Sequence, residues 1–79
     1  MEQNEIPLSR LRMGDRGRVT QIGTGEAMRR RLGDLGLLEG TAVECLHRSL
    51  WGDPAAYLIR GAVIALRNTE GDQIRIAPI

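Results

Sequence analysis

The stretch GTGEAMRRRLGDLGLLEG (residues 23–40) admits three readings, and the choice among them decides the fold. Its glycine pair, Gly23 and Gly25, could cradle a phosphate. Its arginine triplet, Arg29, Arg30 and Arg31, could grip nucleic acid. Its apolar spacing could be one face of a core helix: Met28, Leu32 and Leu35 fall at i, i+4 and i+7, the pattern of a helix that buries a single stripe. Thr24 stands where an N-cap belongs, and Glu26 sits in the first turn, where the helix dipole favours a carboxylate. Gly36 can end the helix in a left-handed conformation and let Leu37 fold back onto the last turn. The spacing therefore predicts a helix over 24–35.

The phosphate reading fails on the surrounding residues. A strand, then Gly23-x-Gly25, then a helix imitates the opening of a dinucleotide-binding fold, and Glu44 even follows about twenty residues on. Met28, however, occupies the place of the third glycine, which should let helix and strand approach. One long helix leaves no crossovers for a parallel sheet, and no Gly-Lys-Ser/Thr loop exists elsewhere. The glycine pair reads as a plain strand-to-helix turn.

Outward from this helix the chain alternates. SRLRM (9–13) reads as one helical turn capped by Ser9, with Leu8, Leu11 and Met13 turned inward and Gly14 as terminator. RVTQI (18–22) is the first strand, with Val19 and Gln21 opposite Thr20 and Ile22. TAVECLHRS (41–49) is the second, with Val43, Cys45 and His47 on one face and Glu44, Leu46 and Arg48 on the other. LWGDP (50–54) is a loop, AAYLIR (55–60) and AVIALR (62–67) are strands interrupted by Gly61, NTEGD (68–72) is the last turn, and QIRIA (73–77) is the final strand. About five short strands and one inserted helix predict a mainly β, partly open small barrel, a single domain over residues 1–79.

Composition narrows the function classes. The 79-residue chain has no Phe and only 3% aromatic residues, so its core must be built from Leu, Ile, Val and Ala. The single Cys45 cannot form an internal disulfide, and no apolar run approaches the ~18 residues of a membrane span, which points to a reducing cytosol. Net charge is +1, although residues 10–31 hold seven arginines against Asp15 and Glu26. That balance, with almost no aromatic side chain to stack on bases, makes a poor nucleic-acid footprint. Trp51 and Tyr57 are also too few to line a groove for proline-rich peptides.

Two longer pieces, RRLGDLGLLEGT (30–41) and GDPAAYLIRGAVIALR (52–67), occur in an order and at a separation that resemble the ferrous iron transport protein A (FeoA) family, and the resemblance covers nearly the whole chain. It implies an SH3-like β-barrel with one helix inserted after the first strand. It also implies a cytosolic accessory of the membrane ferrous-iron transporter FeoB, which carries a cytosolic G-protein domain. The same barrel resembles the C-terminal domain of iron- and manganese-dependent repressors.

The candidate site residues each have a bland alternative. With Met28, Leu32 and Leu35 inward, Arg29 and Arg30 should project outward and Arg31 should lie at the edge beside Leu35, either as a solvated face or as one that docks acidic groups of a partner. Arg30 and Asp34 are spaced for an i, i+4 pair. One of the three could also act in trans on the transporter's G domain, stabilising transition-state charge. Trp51 either caps an open end of the barrel or anchors a partner. Cys45 and His47, sharing a strand face, are weak metal candidates, because no second Cys or His completes a site within one chain. Gly36, Gly40 and Gly61 read as turn residues. No cofactor and no nucleophile–base pair is implied, so the expected function is binding: an accessory to FeoB, a stand-alone regulatory barrel that could self-associate, or, least favoured, a nucleic-acid-associated domain.

Overall fold

Extended segments with inward Leu, Ile and Val alternating against polar residues pair into one antiparallel sheet. The computed structural model describes residues 4–79. Its strands are β1 (Ile6–Pro7), β2 (Arg16–Ile22), β3 (Ala42–Arg48), β4 (Ala55–Ile59), β5 (Ala62–Leu66) and β6 (Ile74–Pro78), joined in the order β1-β6-β2-β3-β4-β5. Helix α1 (Glu26–Asp34) lies between β2 and β3, and the one-turn helix α2 (Asn68–Gly71) lies between β5 and β6. Because β2 pairs with both β6 and β3, the six strands form a partly open sheet with its core on the inner face. Leu8, Leu32, Leu37, Val43, Tyr57, Ile59, Ile74 and Ile76 are among the fully buried residues there. No helix among the described residues is long and apolar enough to cross a membrane.

Two β-bulges separate this sheet from simple alternation. In β2 the register to β6 shifts between Val19 and Gln21, so Thr20 is an extra residue, and Val19 and Ile22 both turn into the core. In β3 the partner of Cys45 is Tyr57 but that of His47 is Ala56, which leaves Leu46 as the extra residue. Beyond it His47 faces solvent and Arg48 turns inward, the reverse of the expected faces.

The helix starts later and ends differently from its sequence pattern. Gly25, not Thr24, is the N-cap, since the Thr24 hydroxyl reaches only the Gly25 carbonyl. Leu32 is buried and Met28 packs on the core, but Leu35 is 43% exposed. Leu37 takes its seat. The Gly36 N–H donates to Gly33 O at 3.0 Å and the Leu37 N–H to Leu32 O at 2.9 Å, the paired bonds of a Schellman closure that swings Leu37 beneath the helix. Gly36 makes this possible with φ +97°, and a Cβ there would lie 2.8 Å from Cδ of Arg60.

Other short segments also depart from expectation. The first turn is a 3-10 turn, Leu8–Arg10, entered from Pro7 and not capped by Ser9. Its three-residue period stacks Leu8 and Leu11 on one side and leaves Met13 in solvent. NTEGD forms α2 because two carboxylates satisfy its first amides: Glu70 accepts from the Arg67 N–H at 2.9 Å and Asp53 from the Asn68 N–H at 3.0 Å. Arg60 (φ +50°) and Gly61 (φ +84°) form the two-residue turn between β4 and β5, and Gly40 also has positive φ, at +93°.

Replacing Gly36 with Val combines left-handed strain on a β-branched residue with the Arg60 contact. We expect a loss of about 2 kcal/mol by urea unfolding, which for so small a domain is roughly 10 °C in melting temperature. An unchanged midpoint would contradict the closure described.

Candidate functional site

The bulge at Leu46 points Arg48 into the space between the first turn and the 49–54 loop, and its guanidinium becomes a hub there. Nε donates to Leu11 O at 3.0 Å, and Nη2 donates to the carbonyls of Ser9 and Leu11 and to the Tyr57 hydroxyl. Nη1 reaches Gly52 O at 3.3 Å and Asn68 Oδ1 at 3.4 Å. Tyr57 in turn donates to Leu8 O. Among the described residues no carboxylate forms a salt bridge with Arg48, so carbonyl dipoles balance its charge. Its position on the expected outer face hid this role in the sequence. The one available signal was an arginine immediately before a Ser-Leu-Trp-Gly-Asp-Pro turn.

The loop that Arg48 holds carries the most exposed large apolar side chains among the described residues. Leu50 is 90% and Trp51 88% exposed, so Trp51 does not cap the barrel. The base beneath them is fixed on both sides. Gly52 N–H donates to Ser49 O at 2.8 Å, Ser49 N–H donates to Pro54 O at 3.2 Å, and Asp53 is bound to the first amide of α2. An indole and an isobutyl group therefore stand in solvent on a constrained backbone.

The arginine triplet divides three ways. Arg29 does not project freely: Nη1 donates to Ile22 O at 2.8 Å, and Nη2 lies 3.7 Å from Glu39, tying α1 to the end of β2. Arg30 is exposed and reaches Glu26 at 4.0 Å, one turn back and not Asp34 one turn on. Arg31 lines a crevice of about 70 Å³ between α1 and β5, with Leu35, Ile64 and Glu70. Beside Arg29 and Arg30 runs an open groove of about 640 Å³ that includes Gly33, Asp34, Leu38 and Glu39. Leu38 is exposed along it.

Cys45 and His47 part company at the bulge, Cys45 in the core and His47 in solvent. Among the described residues no cluster of three His, Cys, Asp or Glu side chains is placed to hold a metal. Burial pushes the Cys45 thiol above its ordinary 9.0, outweighing the opposite pull of nearby Arg48. Burial likewise raises the Tyr57 hydroxyl above 10.0, again against Arg48.

Two outcomes follow from this network. Arg48→Ala leaves the Ser9 and Leu11 carbonyls without their donor, and we expect a loss of about 2–3 kcal/mol in urea unfolding. Arg48→Lys should restore less than half of it, since an ammonium cannot reproduce the planar fork. The thiol and phenol ionise more readily in the unfolded chain, so above the ordinary 9.0 of Cys45 the unfolded state binds fewer protons than the folded one. Stability should be level from neutral pH to about 8.5 and fall as pH rises further toward 11, measured as urea midpoints. Cys45→Ala should flatten the earlier part of that fall, whatever it does to the midpoint at pH 7.

Comparison with known proteins adds a lineage to this geometry. A family model described as the FeoA domain matches residues 6–78. The solution structure of the FeoA protein of Chlorobium tepidum is 35% identical, with a TM-score of 0.90 over 94% of this chain and 70% of that one. FeoA of Stenotrophomonas maltophilia, crystallised with zinc, is described as a prokaryotic SH3 domain protein and a candidate ferrous iron transport activating factor. It is 25% identical, with a TM-score of 0.77 over 87% of this chain and 86% of that one. A manganese-dependent transcriptional repressor, 20% identical, shares the fold at a TM-score of 0.87, all of this chain covering 44% of that one. No curated protein sequence matches the chain.

Proposed function

This chain belongs to the FeoA domain family, linked to ferrous iron transport, and we propose that it is a cytosolic accessory protein that docks on the G-protein domain of a FeoB-type membrane transporter. The reading is of a binding module and not an enzyme. The observation that carries it is the Leu50–Trp51 tip, with Trp51 88% exposed on a loop whose backbone is already ordered. Exposing an indole to water is unfavourable, and ordering its loop beforehand lowers the entropy lost on association. Together these are the properties of an interface anchor. On the outer face of α1, Arg30 supports the same reading as a rim charge for an acidic partner surface, a role that affects encounter rate more than residence. Arg31, in the crevice toward β5, is a second such charge, whereas Arg29 is a tether of the fold.

The test is binding of the purified protein to the isolated G domain, with GDP and with a non-hydrolysable GTP analogue. Trp51→Ala should weaken binding about 30-fold, equivalent to about 2 kcal/mol, without moving the melting temperature. Arg30→Glu should slow association several-fold and make it less salt-dependent. Absence of binding in both nucleotide states would leave the stand-alone regulatory barrel as the better reading.

A further inference from the structure

Strand β5 is the outermost strand on its side of the sheet, and one of its two edges has no strand beside it. The two-residue turn at Arg60–Gly61 makes Ile59 and Ala62 the hydrogen-bonded pair that closes the hairpin. By alternation Tyr57–Ile64 and Ala55–Leu66 are hydrogen-bonded pairs too. The N–H and C=O groups of Val63 and Ala65 therefore point away from β4. Among the described residues no turn, loop or side-chain hydrogen bond engages them. Ala62 and Ala65 are exposed, and Val63 is 64% exposed. The sequence AVIAL contains no charge and no proline, and its register against β4 contains no bulge. Those are the devices that ordinarily keep an edge from recruiting another strand. The opposite edge, β1, is only two residues long.

We propose that β5 is a self-association edge, pairing antiparallel with β5 of a second copy about a two-fold axis through Ile64. The pattern suits a second copy because, of the two-fold registers open to it, only this one opposes the outward-pointing groups of both Val63 and Ala65 within β5. Val63 of each chain faces Ala65 of the other, and these are the residues whose polar groups point outward, so four backbone hydrogen bonds form at once. Ile64 meets Ile64 in the close, non-hydrogen-bonded pair between them. The same patch serves both copies, as a closed two-fold dimer requires. Only apolar side chains are opposed along the five residues. Of the flanking arginines, Arg60 lays its stem against Gly36, and Arg67 falls opposite Gly61 of the second copy. The exposed Leu35 lines the α1 crevice with Ile64, and Arg31 and Glu70 line the same crevice, so that side offers the second copy an apolar side chain and one charge of each sign.

Sedimentation equilibrium from about 10 µM to 1 mM, the range suited to a small interface, should show a monomer–dimer equilibrium. Val63→Lys and Ala65→Pro, which change only outward groups of β5, should each raise the dissociation constant at least tenfold. The register is read independently by cross-linking in a Cys45→Ala background. Ile64→Cys should oxidise to a covalent dimer, because a non-hydrogen-bonded pair holds Cα atoms about 4.5 Å apart, within disulfide reach. Val63→Cys should not. A strictly monomeric protein, a dimer indifferent to both edge substitutions, or cross-linking through Val63→Cys in place of Ile64→Cys would each overturn the proposal. So would a monomer whose Val63 and Ala65 amides gain hydrogen-exchange protection only when the transporter's G domain is added, which would assign the edge to that partner. Because Trp51 lies outside β5, these results are separable from the docking of the loop.

Discussion

The Arg48 guanidinium collects the carbonyls of Ser9, Leu11 and Gly52, the Asn68 side chain and the Tyr57 hydroxyl into one half-buried cluster. Apart from Tyr57, which anchors the cluster to β4, each of those groups belongs to a segment that the strand ladder leaves loose: the first turn, the 49–54 loop and the start of α2. A protein of 79 residues buries only about 60% of the surface of its unfolded chain, so it has few apolar contacts with which to hold connections in place. One planar group with five donors does for these segments what additional core would do in a larger domain. The position of Arg48 depends on a single extra residue, Leu46, whose bulge reverses the faces of the strand end.

The same economy governs the helix. Nine residues are too few for a stable helix in isolation, so α1 persists through what it touches at its two ends. Arg29 ties its first turns to the end of β2, and the Gly36 closure brings Leu37 beneath the last turn. The outward arginine face is consequently a by-product of a helix fastened on its inner side. Of three adjacent arginines, Arg29 is tethered to the fold, while Arg30 and Arg31 keep exposed side chains of the kind that a rim charge requires.

Much of the fold was legible because it rests on local rules. Turn glycines, alternation and one helical stripe located every strand of five or more residues and the longer helix, and quoted motifs carried the family resemblance. What escaped depended on side chains distant in sequence. A bulge leaves no mark on an alternating pattern, so alternation alone places Ile22 and Arg48 on the wrong faces and groups Cys45 with His47. Leu35 and Leu37 compete for one seat, and the closure at Gly36 decides it, not the i, i+7 spacing. α2 forms because Asp53, fifteen residues away, supplies an acceptor to its first amide, a contact invisible in NTEGD itself. The sequence also left the exposure of Trp51 open, since whether that ring caps the barrel depends on where the loop base is pinned.

That pinning bears directly on the candidate site. A flexible loop could fold Trp51 back against the sheet and hide it from water, which is the cheaper arrangement for a free monomer. Here Arg48 at Gly52 and Asp53 at Asn68 hold the loop on two sides of the tip, and Leu50 and Trp51 remain outside. The bonds that stabilise the barrel's connections therefore also keep its largest apolar side chain in solvent. Stability and presentation are coupled through the same guanidinium, so a change at Arg48 should alter the exposure of Trp51, and with it the docking proposed for that ring, even though the Arg48 side chain itself is turned away from the tip.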